Sequence, residues 1–267
     1  MLPPASGNGT VLVTGASSGI GEQLAREFAG RGRHVVLVAR RAEKLEALAA
    51  ELGPAADVLA ADLSDPAARA ALPGRVAELG LVVDVLVNNA GLSTSGPVSA
   101  SDPDAELNLV EVDVAAVVDA CSRFLPGMVS RGRGAVLNVA SVGAFGPLPG
   151  QAAYGAAKAF VLSYTAAIGE ELRGTGVVAA ALCPGPVSTE FGQKAGISDA
   201  DAAAALPKAM WVDAAVVAKA AVDGLAAGRT VIVPGLLNRI GAAAYQHLPR
   251  RLLLPILSRS HPALKKR

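Results

Sequence analysis

Thr10-Val-Leu-Val-Thr14-Gly15-Ala-Ser17-Ser18-Gly19-Ile20-Gly21 is an apolar, β-branched run, then a turn with three glycines, then the start of a helical pattern. The order matters more than the glycines alone. A strand that ends in a tight turn and feeds a helix aims that helix's free N–H groups, and its positive dipole end, at any anion lying over the turn. Glycines at 15, 19 and 21 let backbone approach a pyrophosphate closely, with Ser17, Ser18 and Ile20 between them. The spacing departs from the plain G-x-G-x-x-G fingerprint. The strand before it and the helix after it supply the context that makes a glycine turn informative.

The rest of the chain repeats this unit. Further runs at His34–Ala39, Asp57–Ala61, Val83–Asn88, Ala135–Ala140, Val177–Cys183 and Thr230–Val233 are nearly continuous in apolar character, as strands buried on both faces should be. Helical patterns lie between them at Gly21–Gly30, Ala42–Leu52, Pro66–Leu79, Asp104–Ser130, Gln151–Arg173 and Asp213–Ala227. Alternation of this kind implies right-handed crossovers. The expected fold class is α/β: a doubly wound parallel sheet of Rossmann type, about seven strands with helices on both faces. No linker or repeat divides the 267 residues, so residues 1–267 read as one domain. Residues 185–212 form the one irregular stretch. It comes after a strand's C-terminal end, where ligands bind in open α/β sheets, and is expected to be a substrate loop.

Composition excludes several classes. The net charge is +1, which offers no global field for nucleic acid. Cys121 and Cys183 show no metal-ligand spacing and read as reduced thiols. No metal site is expected. The first residues lack a signal peptide's basic start and apolar core, and no apolar run reaches spanning length, so the expected setting is the cytoplasm. Charge is nonetheless uneven: residues 224–267 hold eight basic residues and no acid, leaving −7 for residues 1–223. The tail at 235–267 mixes these bases with leucines. It can contact an anionic membrane surface peripherally, pack on a partner subunit, or dock on its own domain. Pro249 and Pro255 favour the last by interrupting a long amphipathic helix.

The second strand is followed by Arg40-Arg41, where an NAD site usually carries a carboxylate for the ribose 2′-hydroxyl. Two guanidiniums suit a 2′-phosphate instead, which favours NADP(H) over NAD(H). Arg40 is the expected phosphate ligand. Arg41 fits better as the solvent-facing start of the next helix.

Tyr154 and Lys158 stand one helical turn apart, and Ser141 ends a strand thirteen residues before Tyr154. A tyrosine with a pKa of about 10 is a sluggish acid–base group at neutral pH. An ammonium about 4 Å away stabilises the phenolate by about 4 kcal/mol at an effective dielectric of about 20, which would bring the pKa near 7. Ser141 can donate a hydrogen bond to a substrate oxygen. Phe145, Leu148 and Gln151 should line the mouth of the site, and Phe191 and Trp211 can wall it or merely pack.

These residues resemble the short-chain dehydrogenase/reductase family over nearly the whole chain. The glycine turn, Asp62-Leu63, Asn88-Asn89-Ala90-Gly91, the Ser141/Tyr154/Lys158 set, and Pro184-Gly185 with Val187 and Thr189 occur in the family's order. The resemblance implies an oxidoreductase that interconverts a small-molecule carbonyl and an alcohol by hydride transfer. Asp62 and Leu63 would contact the adenine, Asn89, Ala90 and Gly91 would brace the cofactor, and residues 184–189 would hold the nicotinamide. Lys158 would also grip the nicotinamide ribose. A homodimer or homotetramer is implied through the two long helices, whose faces carry Ala115, Ala116, Ala152, Ala153, Ala156 and Ala157. The chain departs from the family at Asp113, where an asparagine usually holds a water that connects the lysine to solvent. Asp113 can keep that relay role, or pair with Lys158 and blunt its effect on Tyr154. Two other readings remain: a 3-oxoacyl- or hydroxysteroid-type reductase acting near membranes, and a non-catalytic NADP(H)-sensing protein. Residues 141, 154 and 158 weigh against the sensor.

Overall fold

The computed structural model describes residues 2–194, 207–260 and 264. Seven parallel strands form one sheet in the order β3-β2-β1-β4-β5-β6-β7. They are β1 (Gly9–Thr14), β2 (His34–Ala39), β3 (Ala56–Ala60), β4 (Val82–Asn88), β5 (Gly134–Val139), β6 (Val177–Leu182) and β7 (Val231–Ile232). The helices between them are α1 (Gly19–Gly30), α2 (Ala42–Leu52), α3 (Pro66–Glu78), α4 (Pro103–Val110), α5 (Ala116–Ser130) and α6 (Ala152–Glu171). After β6 come α7 (Glu190–Lys194), α8 (Ala214–Ala226), α9 (Leu236–His247) and α10 (Arg250–Ser260).

Two cores explain why the strands show no alternation in sequence. Leu12, Val36, Val38, Leu86 and Val136 pack with Leu72 of α3, Val117 and Cys121 of α5, and Val161 and Ile168 of α6. Val11, Val13, Leu37, Val85 and Leu137 pack with Leu24 and Phe28 of α1, Leu45 of α2, and Val217 and Leu225 of α8. Side chains alternate across the sheet, but both faces are dry, so every position wants an apolar residue. Each buried side chain of this size is worth about 1.5–3 kcal/mol relative to exposure.

Two expectations fail. Asp104–Ser130 is not one regular helix: between α4 and α5 lies a π-helical turn, Glu111–Ala115. One extra residue in that turn rotates the face of α5 relative to α4, and such turns recur at functional sites. Pro249 does separate α9 from α10, but Pro255 sits inside α10 rather than ending it. The sheet order reverses direction between β1 and β4, and the crevice at their C-terminal ends is where this architecture takes ligands.

Candidate active site

The glycine turn is held in place before any ligand is considered. Gly15 (φ 66°) and Gly19 (φ 60°) adopt backbone that L side chains avoid. A Cβ on Gly15 would lie 2.8 Å from the Ala90 Cα, and one on Gly21 would collide with the Gly15 carbonyl and the Asn89 side chain. Thr14 Oγ1 accepts the N–H groups of Asn89 (2.9 Å) and Ala90 (3.1 Å). Asn89 Nδ2 donates to the Thr14 (2.9 Å) and Gly15 (3.3 Å) carbonyls. Asn89 therefore serves the site by bracing the turn. Asn88 points into the core instead, donating to Asn138 Oδ1 at 2.8 Å. Ser18 stands at the N-cap of α1 in extended conformation, and its side chain makes no capping hydrogen bond to the helix. The first N–H groups of α1 thus face the crevice, and this cradle fits the pyrophosphate of a dinucleotide.

After β2 the structure separates the two arginines and corrects the expectation for Arg41. Arg40 stands exposed. Arg41 does not face solvent as the start of α2: its Nη2 donates to Ser17 Oγ (3.0 Å) and Ser18 Oγ (3.1 Å). Successive residues at a strand's end point to opposite sides, so only one of the pair can fold back over the turn. Arg41 Nη1 also meets Glu190 Oε2 at 3.0 Å, and Lys44 Nζ meets Glu190 Oε1 at 2.8 Å. Asp62 accepts from the Ser64 N–H (3.0 Å) and hydroxyl (2.8 Å). Burial pushes its carboxyl up, but these bonds and the nearby Arg40 outweigh burial and hold it below the usual range. Buried Leu63 gives its carbonyl to Arg69 Nη1 at 2.7 Å, and Arg69 Nη2 pairs with Glu111 of the π turn at 2.6 Å. Arg69, Glu190 and the true position of Arg41 escape a reading of the sequence. A lone charge far along the chain leaves no local signal.

At the other end, Tyr154 and Lys158 share a face of α6, as their spacing predicts. Lys158 is buried; its Nζ donates to the Val139 carbonyl (3.1 Å) and lies 5.7 Å from the Tyr154 ring centroid. A hydrogen bond from Ser141 reaches Tyr154. The Ser141 hydroxyl also accepts the Gly143 N–H at 3.0 Å, which fixes the loop. Asp113 is fully buried, with Oδ2 3.0 Å from Lys158 Nζ and Oδ1 accepting the Leu92 N–H at 2.6 Å. The π turn aims it there, and Gly91 leaves the space, since a Cβ would sit 3.2 Å from both partners. So Asp113 pairs with Lys158 directly.

That pairing changes the expected electrostatics. Tyr154 lies above its ordinary pKa, not near neutrality: burial pushes it up more than Lys158 and the Ser141 hydrogen bond pull it down, and Asp113 adds to the rise. Burial lowers Lys158, yet Asp113 and Tyr154 outweigh it and hold the ammonium above its usual value. Burial also raises Asp113 against the pull of Lys158. The expectation of a neutral pKa left out the burial of the phenol, the largest cause of the rise, and the carboxylate beside Lys158.

The loop after β6 closes the site. Thr189 lies over the turn, close enough that a Cβ on Gly19 would meet its Cγ2 at 3.1 Å. Val187 packs on the second core. Phe191 covers Tyr154, ring centroids 5.8 Å apart. The Val212 N–H donates to the Pro186 carbonyl at 3.0 Å, clasping the two ends of the segment. Trp211 is half-buried beside that clasp; residues 195–206 of the expected substrate loop lie outside the described residues. The Pro184-Gly185 bend is pinned by buried Asn238 of α9, which also donates to the Met210 carbonyl at 3.0 Å. Tyr245 of α9 donates to the Pro147 carbonyl, holding the Phe145–Leu148 mouth. The start of the tail therefore docks on its own domain, while Lys265, Lys266 and Arg267 lie outside the described residues. Gln151 Nε2 donates to Ser93 Oγ at 2.8 Å across the entrance. A cavity of about 460 Å³ is lined by Phe145, Leu148, Gly155, Ala156 and Arg250, but not by Tyr154 or Lys158. Among the described residues no helix is long and apolar enough to cross a membrane.

The pattern described as short chain dehydrogenase matches residues 9–199. The chain belongs to that family. It is an oxidoreductase of the short-chain dehydrogenase/reductase type. A short chain dehydrogenase of Pseudocercospora fijiensis is 40% identical over 189 residues, 68% of this chain and 61% of that protein. This chain thus matches less than two thirds of that relative's length. A serine 3-dehydrogenase of Agrobacterium fabrum is 38% identical over 192 residues, 69% of this chain and 74% of the relative. A short-chain dehydrogenase from Sphingobium yanoikuyae, solved in complex with NADPH, superposes with a TM-score of 0.78 at 35% identity, covering 94% of this chain and 93% of that one.

Proposed function

We propose that the chain is an NADP(H)-dependent reductase that interconverts a ketone or aldehyde with its alcohol. The observation that carries this is one cluster at the crevice: Tyr154 hydrogen-bonded by Ser141 and backed by the Lys158 ammonium, beside a glycine turn whose free N–H groups face the same cleft. The cofactor is NADP(H): Arg41 and Lys44 offer two cations at the ribose side, and the Sphingobium relative binds NADPH. When bound, that cofactor supplies the hydride. The chain's own residues manage the proton and the oxygen. Ser141 is placed to hold the carbonyl oxygen, and Tyr154 is the acid that protonates it. Because burial keeps the phenol protonated at neutral pH, the resting state is set for reduction.

Phe191 over Tyr154 gives the entrance an apolar side, with one polar pair, Gln151 and Ser93. This supports an uncharged carbonyl substrate rather than an amino acid of the kind the Agrobacterium relative's name implies. NADPH oxidation with a panel of uncharged ketones tests the reading. Tyr154→Phe should lower turnover by about 10²–10⁴-fold with NADPH binding unchanged. NADPH binding without turnover on any ketone would make the chain a sensor instead.

A homo-oligomer fits the outer face of α6. Ala152, Ala156 and Phe160 are exposed there, with Phe160 stacked on Tyr164 at 5.6 Å. Ala116 and Ala157, by contrast, are buried in the chain's own core. Light scattering tests this; a mass of one 26.7 kDa chain would end the proposal.

A further inference from the structure

The carboxylate of Glu190 makes the same kind of contact that a phosphate would. Its two oxygens reach Arg41 Nη1 (3.0 Å) and Lys44 Nζ (2.8 Å), while Arg41 Nη2 is held by the hydroxyls of Ser17 and Ser18. The glycine turn thus orients the guanidinium, and its Nη1 is left to meet an anion that Lys44 shares. Glu190 is not part of the nucleotide-binding half. It opens α7, directly after Thr189, on the segment that also carries Phe191 over Tyr154.

We propose that the Glu190 carboxylate competes with the cofactor's 2′-phosphate for Arg41 and Lys44, and so sets how far the chain prefers NADP(H) over NAD(H). The proposal rests on the functional reading in which Arg41 and Lys44 form the phosphate seat. Exposure makes the exchange possible. Side chains of Arg41, Lys44 and Glu190 are 31%, 42% and 43% exposed, so water can solvate each charge as the partners change. A doubly charged phosphate is the stronger partner for two cations, so it displaces the carboxylate, but at a reduced net affinity. NADH brings no such anion, leaves Glu190 in place, and is unaffected by the competition.

The test is NADPH and NADH binding, read by nicotinamide fluorescence, in the unaltered chain, Glu190→Gln and Arg41→Gln. Exposed ion pairs of this kind are weak, and Glu190 makes two of them, so Glu190→Gln should bind NADPH about two- to thirtyfold tighter. NADH affinity should stay within about twofold. Unchanged or weaker NADPH binding in Glu190→Gln overturns the proposal, since Glu190 would then merely position Arg41. Equal tightening for both cofactors overturns it too, because the effect would come from loosening the loop. Arg41→Gln separates the two layers: it should remove most of the preference for NADPH. If it does not, the phosphate seat itself is misplaced. If it does while Glu190→Gln fails, only the competition is lost.

Discussion

Lys158–Asp113 and Arg41–Glu190 both close at 3.0 Å, on opposite sides of the switch point between β1 and β4. The first pair is 5% and 0% exposed, the second 31% and 43%. Equal distance hides a large difference in what each can do. Two charges out of water depend on each other, because neither finds another partner when one is removed. Two half-exposed charges fall back on solvent and can trade partners. One end of the cleft thus carries a fixed electrostatic setting for Tyr154. The other carries an exchangeable contact suited to admitting and releasing a charged cofactor.

Breaking the buried pair should have the largest effect. Lys158→Met leaves the Asp113 charge in the core, with only the Leu92 N–H beside it. Such a change costs about 3–5 kcal/mol, or about 6–20 °C in melting temperature for a domain of this size. Adding Asp113→Asn should restore most of that stability without restoring turnover, because the phenol still lacks its cation. Calorimetry on the single and double variants checks this. A Lys158→Met protein that melts like the unaltered chain would mean that Asp113 is neutral or solvated, and the contrast between the two ends would vanish.

The two ends are not equally legible from sequence. The turn at Thr14–Gly21 and the Tyr154/Lys158 spacing are local, and local patterns survive in a one-dimensional reading. The strands are readable because both faces of the sheet are dry, which leaves unbroken apolar runs such as Val11–Val13 and Val35–Ala39. The contacts of Arg41 with Ser17 and Ser18 are not, because they depend on which side of β2's end faces the turn. Glu190 lies 149 residues from Arg41 and is brought there only by the loop after β6. The π turn is equally invisible: Glu111–Ala115 has the composition of ordinary helix, and only packing tells where one residue too many is absorbed. That turn decides that Asp113 meets Lys158, and so adds a carboxylate to the burial that holds Tyr154 above its ordinary pKa.

A subtler change sharpens the comparison through pH. Tyr154 sits above its ordinary pKa, with burial the main cause and Asp113 a further one. An acid with a raised pKa keeps its proton across neutral pH, so reduction should hold there and fall as pH climbs through that pKa. Alcohol oxidation, which needs the phenolate, should rise over the same alkaline range. Asp113→Asn keeps the shape of the side chain and an oxygen for the Leu92 N–H, but removes the anion that opposes the phenolate and claims the Lys158 charge. Tyr154 should then titrate lower, and both limbs of the pH–rate profile should move to lower pH by about one unit, or about 1.4 kcal/mol. Glu190→Gln, which touches only the exposed pair, should leave both limbs where they are. An unmoved profile in Asp113→Asn would take Asp113 out of the mechanism. A shift toward higher pH would mean that the carboxylate assists the phenolate by keeping Lys158 charged, so the sign of the movement decides whether the buried pair restrains Tyr154 or supports it.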